Sequence, residues 1–203
     1  MKINELQLNK IYNEDCLEGM KNIPDNSVDL ILCDLPYNMT KISWDCLIPF
    51  DKLWEQYNRI IKDNGAIVLF GSEPFSSHLR MSNIKKYKYD IIWDKVSISN
   101  PMLAKKQPLK CHENISVFYK KQPTYNPQMI KGKKWSRGGS GGKYSKHNAF
   151  DMMMIRECKP DKTDMKYPKS IWCYSNANRT NLVHPTQKPI DLLEYLIKTY
   201  TNE

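Results

Sequence analysis

The chain has 203 residues, of which 40% are hydrophobic and 26% charged, which excludes a disordered polypeptide and suits a globular protein with a sizeable core. No apolar stretch approaches the roughly 18 residues of a membrane span, and the N-terminus lacks the apolar core of a signal peptide, so we expect a cytoplasmic protein without a membrane anchor. The net charge of +9 is concentrated in residues 80–148, with 16 Lys and Arg against 3 Asp and Glu. Such a segment is typical of a nucleic-acid partner, and a solvated lysine-rich surface without a partner is the alternative.

The first third of the chain predicts a strand, a helix and a second strand. Residues 28–33 (VDLILC) form a near-continuous apolar run, typical of a parallel strand covered on both faces. Residues 51–63 place their apolar side chains on one helical stripe, and Asn64-Gly65 is expected to end this helix as its C-cap. Residues 66–70 (AIVLF) then predict a second buried strand. This order indicates a right-handed parallel β-α-β unit.

The later elements complete an α/β architecture. Residues 73–81 predict a helix, and residues 89–93 (YDIIW) and 114–119 (NISVFY) predict two further strands. After Pro189, which suits the first turn of a helix, residues 190–200 (IDLLEYLIKTY) place their leucines on one face. We therefore predict an α/β fold, doubly wound around one sheet.

The composition changes after Lys120. Residues 121–148 carry many lysines, few aliphatic residues and a glycine cluster, without a clear period, and therefore predict a basic, loop-rich insertion. The stretch RGGSGGK within it is not a phosphate-binding loop, because no strand precedes it and Tyr144 follows Lys143 where Ser or Thr is required.

The apolar run at 28–33 leads directly into residues 34–37 (DLPY), at the end of a strand, where α/β folds bind their ligands. A carboxylate accepts a hydrogen bond from an amino group, a proline removes a competing N–H, and a tyrosine ring stacks on a planar base. These residues suit the exocyclic amine of a base extruded from a duplex, with Asp34 and the Leu35 carbonyl turning its lone pair toward a sulfonium methyl. Taken alone, the four letters favour a plainer interpretation, an Asp-Pro turn with a tyrosine packed beside it.

The motifs together resemble the amino-group DNA methyltransferases, in the arrangement where the catalytic motif precedes the cofactor glycine motif. Residues 34–37 match the D-P-P-Y motif of that family, with Leu35 replacing the first proline, and residues 184–189 (HPTQKP) match its H-P-T-Q-K-P motif before a helix. The resemblance implies an incomplete Rossmann-like methyltransferase sheet, S-adenosylmethionine as cofactor and double-stranded DNA as partner. Asp rather than Ser at position 34 makes the motif more similar to that of the adenine-N6 enzymes. Cytosine N4 stays the alternative target of methylation.

The resemblance also implies roles for individual residues. The catalytic residues would be Asp34, Leu35, Pro36 and Tyr37. The cofactor-binding residues would be Asp15, Cys16, Asp34, His184, Thr186, Gln187 and Lys188. The basic insertion corresponds to the target-recognition region of the family, and its phosphate contacts would be Lys131, Lys133, Lys134, Arg137 and Lys143. The residues able to touch base edges there are Trp135, Arg137 and Asn148.

The implied organisation is a catalytic core at 1–120, a target-recognition insertion at 121–175 and a return to the core at 176–203. The glycine cofactor motif of the family is expected directly after the helix that ends near Tyr200, and the sequence does not contain it there. Without the strand that carries this motif, we expect exposed strand edges.

Three interpretations therefore stay open. The chain is a methyltransferase polypeptide whose cofactor segment is lost or supplied by a second chain, or it is an active enzyme despite the loss, or it is a non-catalytic DNA-binding protein. A homodimer is a further option.

Cysteine and histidine spacing gives no sign of a disulfide framework or a metal site. The six cysteines are scattered without a C-x-x-C pair, and the four histidines have no paired spacing. We expect reduced thiols and no bound metal.

Overall fold

The computed structural model describes residues 7–39, 42, 45–132, 164–175 and 186–202. The chain divides into two compact units, one formed by Met1–Asn126 with Lys169–Glu203 and the other by Pro127–Pro168. No helix in these described ranges is long and apolar enough to cross a membrane.

The larger unit contains a five-stranded sheet and helices. Its helices are α1 (Cys16–Met20), α2 (Phe50–Ile60), α3 (Phe75–Ser82) and α4 (Ile190–Tyr200), with a short 3-10 turn at Pro101–Leu103. Its strands are β1 (Val28–Asp34), β2 (Ile61–Gly71), β3 (Tyr87–Asp94), β4 (His112–Phe118) and β7 (Ile171–Cys173). The smaller unit contains the two-stranded antiparallel pair β5 (Ile130–Lys131) and β6 (Met165–Lys166).

The five-stranded sheet has the order β1-β2-β4-β3-β7. β1 is parallel to β2 and β3 is parallel to β7, whereas β4 runs antiparallel to both of its neighbours. Four of the five strands therefore point the same way, and the carboxyl ends of β1, β2 and β3 lie along one edge of the sheet. The α/β prediction is confirmed, and so is the parallel pairing of the two strands that flank α2.

Alternate residues of the strands supply two cores, one on each face of the sheet. On one face Ile67 and Leu69 of β2 pack with Leu53 of α2, whereas on the other Val68 of β2 packs with Leu192 of α4. All of these side chains are buried, and full burial of such an aliphatic side chain contributes about 1.5–3 kcal/mol. Helices on both faces explain why the sequence of this strand is apolar without alternation.

The predicted C-cap at Asn64-Gly65 is wrong, because α2 ends at Ile60 and both residues lie within β2. Ile60 and Ile61 are each more than nine-tenths buried, and the extended backbone of Ile61 takes the chain directly from the helix into the sheet. Gly65 is required because of a close approach between chain segments, and not as a helix cap. A Cβ atom at this position would lie 2.9 Å from the backbone oxygen of Asp29 in the neighbouring chain segment.

We expect Gly65→Ala to lower the free energy of unfolding by about 1–3 kcal/mol, because the crowding oxygen belongs to the backbone and cannot rotate away. Urea denaturation measures this loss. Gly19→Ala is the matched control, since the three atoms nearest to a Cβ atom there all belong to the flexible side chain of Glu14. An equal loss in both variants would contradict this explanation.

β1 lies at one edge of the sheet, where within the described residues it pairs with β2 alone. Its residues from Leu30 to Cys33 are nevertheless apolar, and Leu30, Ile31 and Leu32 are only partly buried against the two cores. An edge strand that is apolar apart from Asp29 and Asp34, and whose outer side pairs with no described strand, is a template for pairing with another strand.

Candidate functional site

Asp34 is the last residue of β1 and lies in register with Phe70 of β2, at the carboxyl edge of the sheet. The Tyr37 hydroxyl donates a hydrogen bond to Asp34 Oδ1 at 2.7 Å. The Tyr37 ring stacks on Phe75 of α3, with the ring centroids 4.9 Å apart. The side chain of Leu35 is buried in the hydrophobic core that includes α2, and this contact holds the turn at residues 34–37 in place. Burial, and then the nearby Asp34 carboxylate, raise the pKa of Tyr37, so its hydroxyl stays a donor.

The buried carboxylate of Asp45 fixes the chain that follows this turn. Asp45 accepts hydrogen bonds from the backbone N–H of Asn38 at 2.8 Å and of Met39 at 2.9 Å. Asn38 adopts a positive φ of 55°, a conformation that asparagine tolerates better than most residues. The sequence analysis missed Asp45, because a carboxylate seven residues downstream carries no local signal of its burial.

Lys188 places its ammonium group on Asp34. Its Nζ lies 3.1 Å from Asp34 Oδ2 and 3.0 Å from Glu113 Oε2. Glu113 Oε1 in turn lies 3.1 Å from Nζ of Lys95, which also donates to the hydroxyl of Ser99 at 2.8 Å. Two carboxylates and two ammonium groups thus alternate in a chain of contacts that begins at Asp34.

Most of this charge network is buried. The side chains of Lys188, Glu113 and Lys95 are 12%, 14% and 10% exposed, against 35% for Asp34. Burial alone would raise the pKa of Glu113, but the charges of Lys188 and Lys95 outweigh it and hold the pKa below its ordinary value. Glu113 is therefore ionised at neutral pH and acts as the counter-charge of both lysines.

Aromatic rings surround the same ammonium group. Nζ of Lys188 lies 5.3 Å from the ring centroid of Phe70, 5.6 Å from that of Trp93 and 5.8 Å from that of Tyr37. Aromatic faces at these distances attract cations. The surroundings of Asp34 therefore favour a positively charged group.

A cavity of about 380 Å³ opens beside Asp34, at the carboxyl ends of β1 and β2. Its lining residues are Leu32, Cys33, Asp34, Phe70, Thr186, Gln187, Lys188, Ile190 and Leu193. Because Ile190 is the first residue of α4, the positive end of that helix lies at the cavity. The N-cap residue, Pro189, makes no side-chain capping hydrogen bond with the described part of this helix.

The structure brings four of the predicted cofactor-binding residues together, since Asp34, Thr186, Gln187 and Lys188 all line the cavity. Asp15 and Cys16, at the start of α1, are not among the residues that line this cavity. Asp15 is the N-cap of that helix and accepts hydrogen bonds from the backbone N–H of its second and third residues.

The other predicted positions fall on the smaller unit or outside the described residues. Lys131 is exposed on β5 of the smaller unit. The positions outside the described residues are Lys133, Lys134, Trp135, Arg137, Lys143, Asn148 and His184.

The sequence analysis missed Glu113 and Lys95. One signal was available for Glu113, which directly precedes a predicted buried strand, because a carboxylate entering such a strand requires a charged partner. Its partner Lys188 lies 75 residues away, and no spacing rule connects the two.

The fold is of the Rossmann-like methyltransferase class. The PvuII DNA methyltransferase (cytosine-N4-specific) superposes with a TM-score of 0.62 at 15% identity, covering 94% of this chain and 69% of that one. The M1.HpyAVI-SAM complex superposes with a TM-score of 0.54 at 20% identity, covering 94% and 76%. The Rossmann-like fold prediction is thereby confirmed.

Sequence comparison assigns the family. A family model described as DNA methylase, covering N6 and N4 enzymes, matches residues 28–203, and the chain belongs to that family. It is 25% identical to the Type II methyltransferase M.BglII of Bacillus subtilis over 225 residues, which covers 96% of this chain and 57% of that protein. It is 28% identical to the DNA adenine methyltransferase YhdJ of Escherichia coli (strain K12), over 95% of this chain and 67% of that one. The chain thus spans little more than half the length of M.BglII.

Proposed function

We propose that the chain transfers a methyl group from S-adenosylmethionine to the N6 amino group of adenine in duplex DNA. The observation that carries this proposal is the position of Asp34, at the carboxyl end of β1 and on the wall of the cavity, with the Tyr37 hydroxyl on one of its oxygens. A carboxylate in this place is suited to accept a hydrogen bond from an exocyclic amine.

The cavity fits the cofactor in three respects. Its volume of about 380 Å³ is in the range of small-molecule sites. The positive end of α4 suits the carboxylate of a methionine moiety, next to Thr186 and Gln187. Asp34 and the ring of Phe70 suit a cationic sulfonium, whose electrophilic methyl group is the chemistry that the cofactor supplies.

The residues of the chain then orient the base. Asp34 and the backbone carbonyl of Leu35 each accept one amino hydrogen, which turns the nitrogen lone pair away from them and toward the methyl donor. The base must first leave the duplex, because the amine is inaccessible within a base pair. One face of the Tyr37 ring already packs on Phe75, which holds the ring in place for stacking of the extruded base on its other side.

The base identity is tested by the product. Purified chain, duplex DNA and S-adenosylmethionine with a labelled methyl group are incubated, and the DNA is digested to nucleosides and separated. We expect the label in N6-methyladenine. Label in N4-methylcytosine would support the alternative function, methylation of cytosine at N4. The fold similarity to the cytosine-N4-specific PvuII methyltransferase is the reason to keep this alternative.

A non-catalytic DNA-binding protein is the second candidate. Its supporting observation is that Lys188 occupies Asp34 Oδ2, the oxygen that the Tyr37 hydroxyl leaves available. DNA binding without label in any nucleoside would favour this candidate over the enzyme.

We propose that target recognition belongs to the basic insertion at 121–175, which includes the smaller unit. Lys131, exposed on β5, is its described candidate for a phosphate contact. A Lys131→Gln variant that binds DNA with native salt dependence would argue against this role.

We further propose that a second polypeptide adds a strand to the free edge of β1. A largely apolar strand whose outer side pairs with no described strand supports this assignment, and a homodimer is the alternative occupant. Sedimentation of the purified chain separates the two, because a homodimer forms without any added partner.

A further inference from the structure

The segment that joins β3 to β4, here called the 95–111 loop (KVSISNPMLAKKQPLKC), has no role in the function proposed above. It contains four lysines and no acidic residue. Because β3 points the same way as β1, the loop leaves the sheet at the edge that carries Asp34. Its stem is closed by the hydrogen bonds Lys95 N–H to Cys111 O and Ser99 N–H to Lys110 O, both 2.8 Å.

The base of the loop is tied to the site. Lys95, its first residue, reaches Asp34 through Glu113 and Lys188 in the charge network. Lys110, at its other end, donates to the hydroxyl of Ser72, directly after β2. The loop is therefore held over the carboxyl edge from both of its ends.

The tip of the loop is held by hydrogen bonds within the loop, and several of its side chains are exposed. Asn100 accepts a hydrogen bond from Lys110 N–H at 2.7 Å, and Leu103 O accepts one from Lys106 N–H at 2.8 Å. This frame leaves Met102 93% exposed. Lys105 and Lys106 beside it are exposed as well, and neither forms an ion pair with a described residue.

We propose that the 95–111 loop is a DNA-contact surface separate from the basic insertion. This inference rests on the proposed function, because it takes duplex DNA as the partner. Lys105 and Lys106 neutralise backbone phosphates beside the extruded base. Met102 lies against the bases that remain in the duplex, as apolar wedges do in other DNA-binding proteins. The charge of the loop, its exposed apolar tip and its attachment to the Asp34 network together point to this partner.

The salt dependence of DNA binding tests the lysines. We expect Lys105→Gln with Lys106→Gln to make the slope of log K against log salt less steep by about 2, since each phosphate contact contributes about 0.9. The matched control is Lys85→Gln with Lys88→Gln, which removes two exposed lysines around the start of β3, at the opposite edge of the sheet. A native slope in the loop variant, or an equal change in both variants, would overturn the proposal.

Oxidation of methionine by hydrogen peroxide tests the tip without any substitution. Saturating duplex DNA should slow oxidation of Met102 severalfold, measured by mass spectrometry. Met81, which is 70% exposed near the end of α3, should oxidise at an unchanged rate. Unprotected Met102 in DNA-saturated protein would overturn the proposal.

Both measurements report binding alone, so they separate this inference from the proposed function. A chain that binds DNA through the loop and transfers no methyl group would support the inference and defeat the proposed enzyme. A chain that methylates DNA with Met102 unprotected would do the reverse.

Discussion

Asp34→Ala should lower the kcat of methyl transfer by about 10²–10³-fold, because removal of one preorganised electrostatic partner at a reacting centre has that cost. Asp34 lines the cavity at the end of β1, and the alanine side chain accepts no hydrogen bond from the amino group. Steady-state kinetics with S-adenosylmethionine and duplex DNA in saturating excess over the enzyme measure the effect on kcat. Near-native activity in this variant would refute the role of Asp34.

Substitutions of Tyr37 separate its two contacts. Tyr37→Phe removes the hydrogen bond to Asp34 Oδ1 but keeps the ring on Phe75, whereas Tyr37→Ala removes both. Because base stacking on an aromatic side chain is worth about 1–3 kcal/mol, the alanine variant should lose more activity than the phenylalanine variant. Equal losses would show that the hydroxyl alone matters. Unfolding curves of Asp34→Ala, Tyr37→Phe and Tyr37→Ala control for loss of structure.

The sequence predicted the elements whose residues interact locally or are uniformly buried. β1 and β2 were identified by apolar runs and α4 by its helical stripe. β1 and α4 have the predicted bounds to within one residue, whereas β2 begins five residues before its predicted start at 66. The end of α2 was misplaced, because Asn-Gly is a common helix cap and the reason for Gly65 lies in a contact with Asp29. Such a contact between distant segments leaves no local pattern.

The residues of the candidate site also fall into those that the sequence predicted and those that it did not. Asp34 and Tyr37 were identified because the motif places them at a strand end, three residues apart. The network that holds Asp34 was not, because Lys188, Glu113 and Lys95 come from three separate segments that meet only in the folded sheet. The resemblance implied that Lys188 binds the cofactor, and the structure adds its contact with the proposed amine acceptor.

Glu113→Gln should lower the free energy of unfolding by about 3–5 kcal/mol, the usual cost of removing one partner from a buried ion pair. The substitution leaves Lys188 and Lys95 buried with one carboxylate fewer. Urea denaturation at neutral pH measures the loss. Glu194→Gln is the control, because it breaks the exposed pair with Lys198 and should change stability by at most about 0.5 kcal/mol.

The carboxylate of Glu113 should also make the free energy of unfolding of the native protein sensitive to acid. The folded pKa of Glu113 is lowered, so its contribution is fully present above the unfolded pKa and is lost as the pH falls through the folded value. The difference in unfolding free energy between the native chain and Glu113→Gln should therefore hold from neutral pH down to the usual glutamate pKa of about 4.3 and shrink below it, toward about pH 3. A difference that stays constant over this range would show that Glu113 acts through packing and not through its charge.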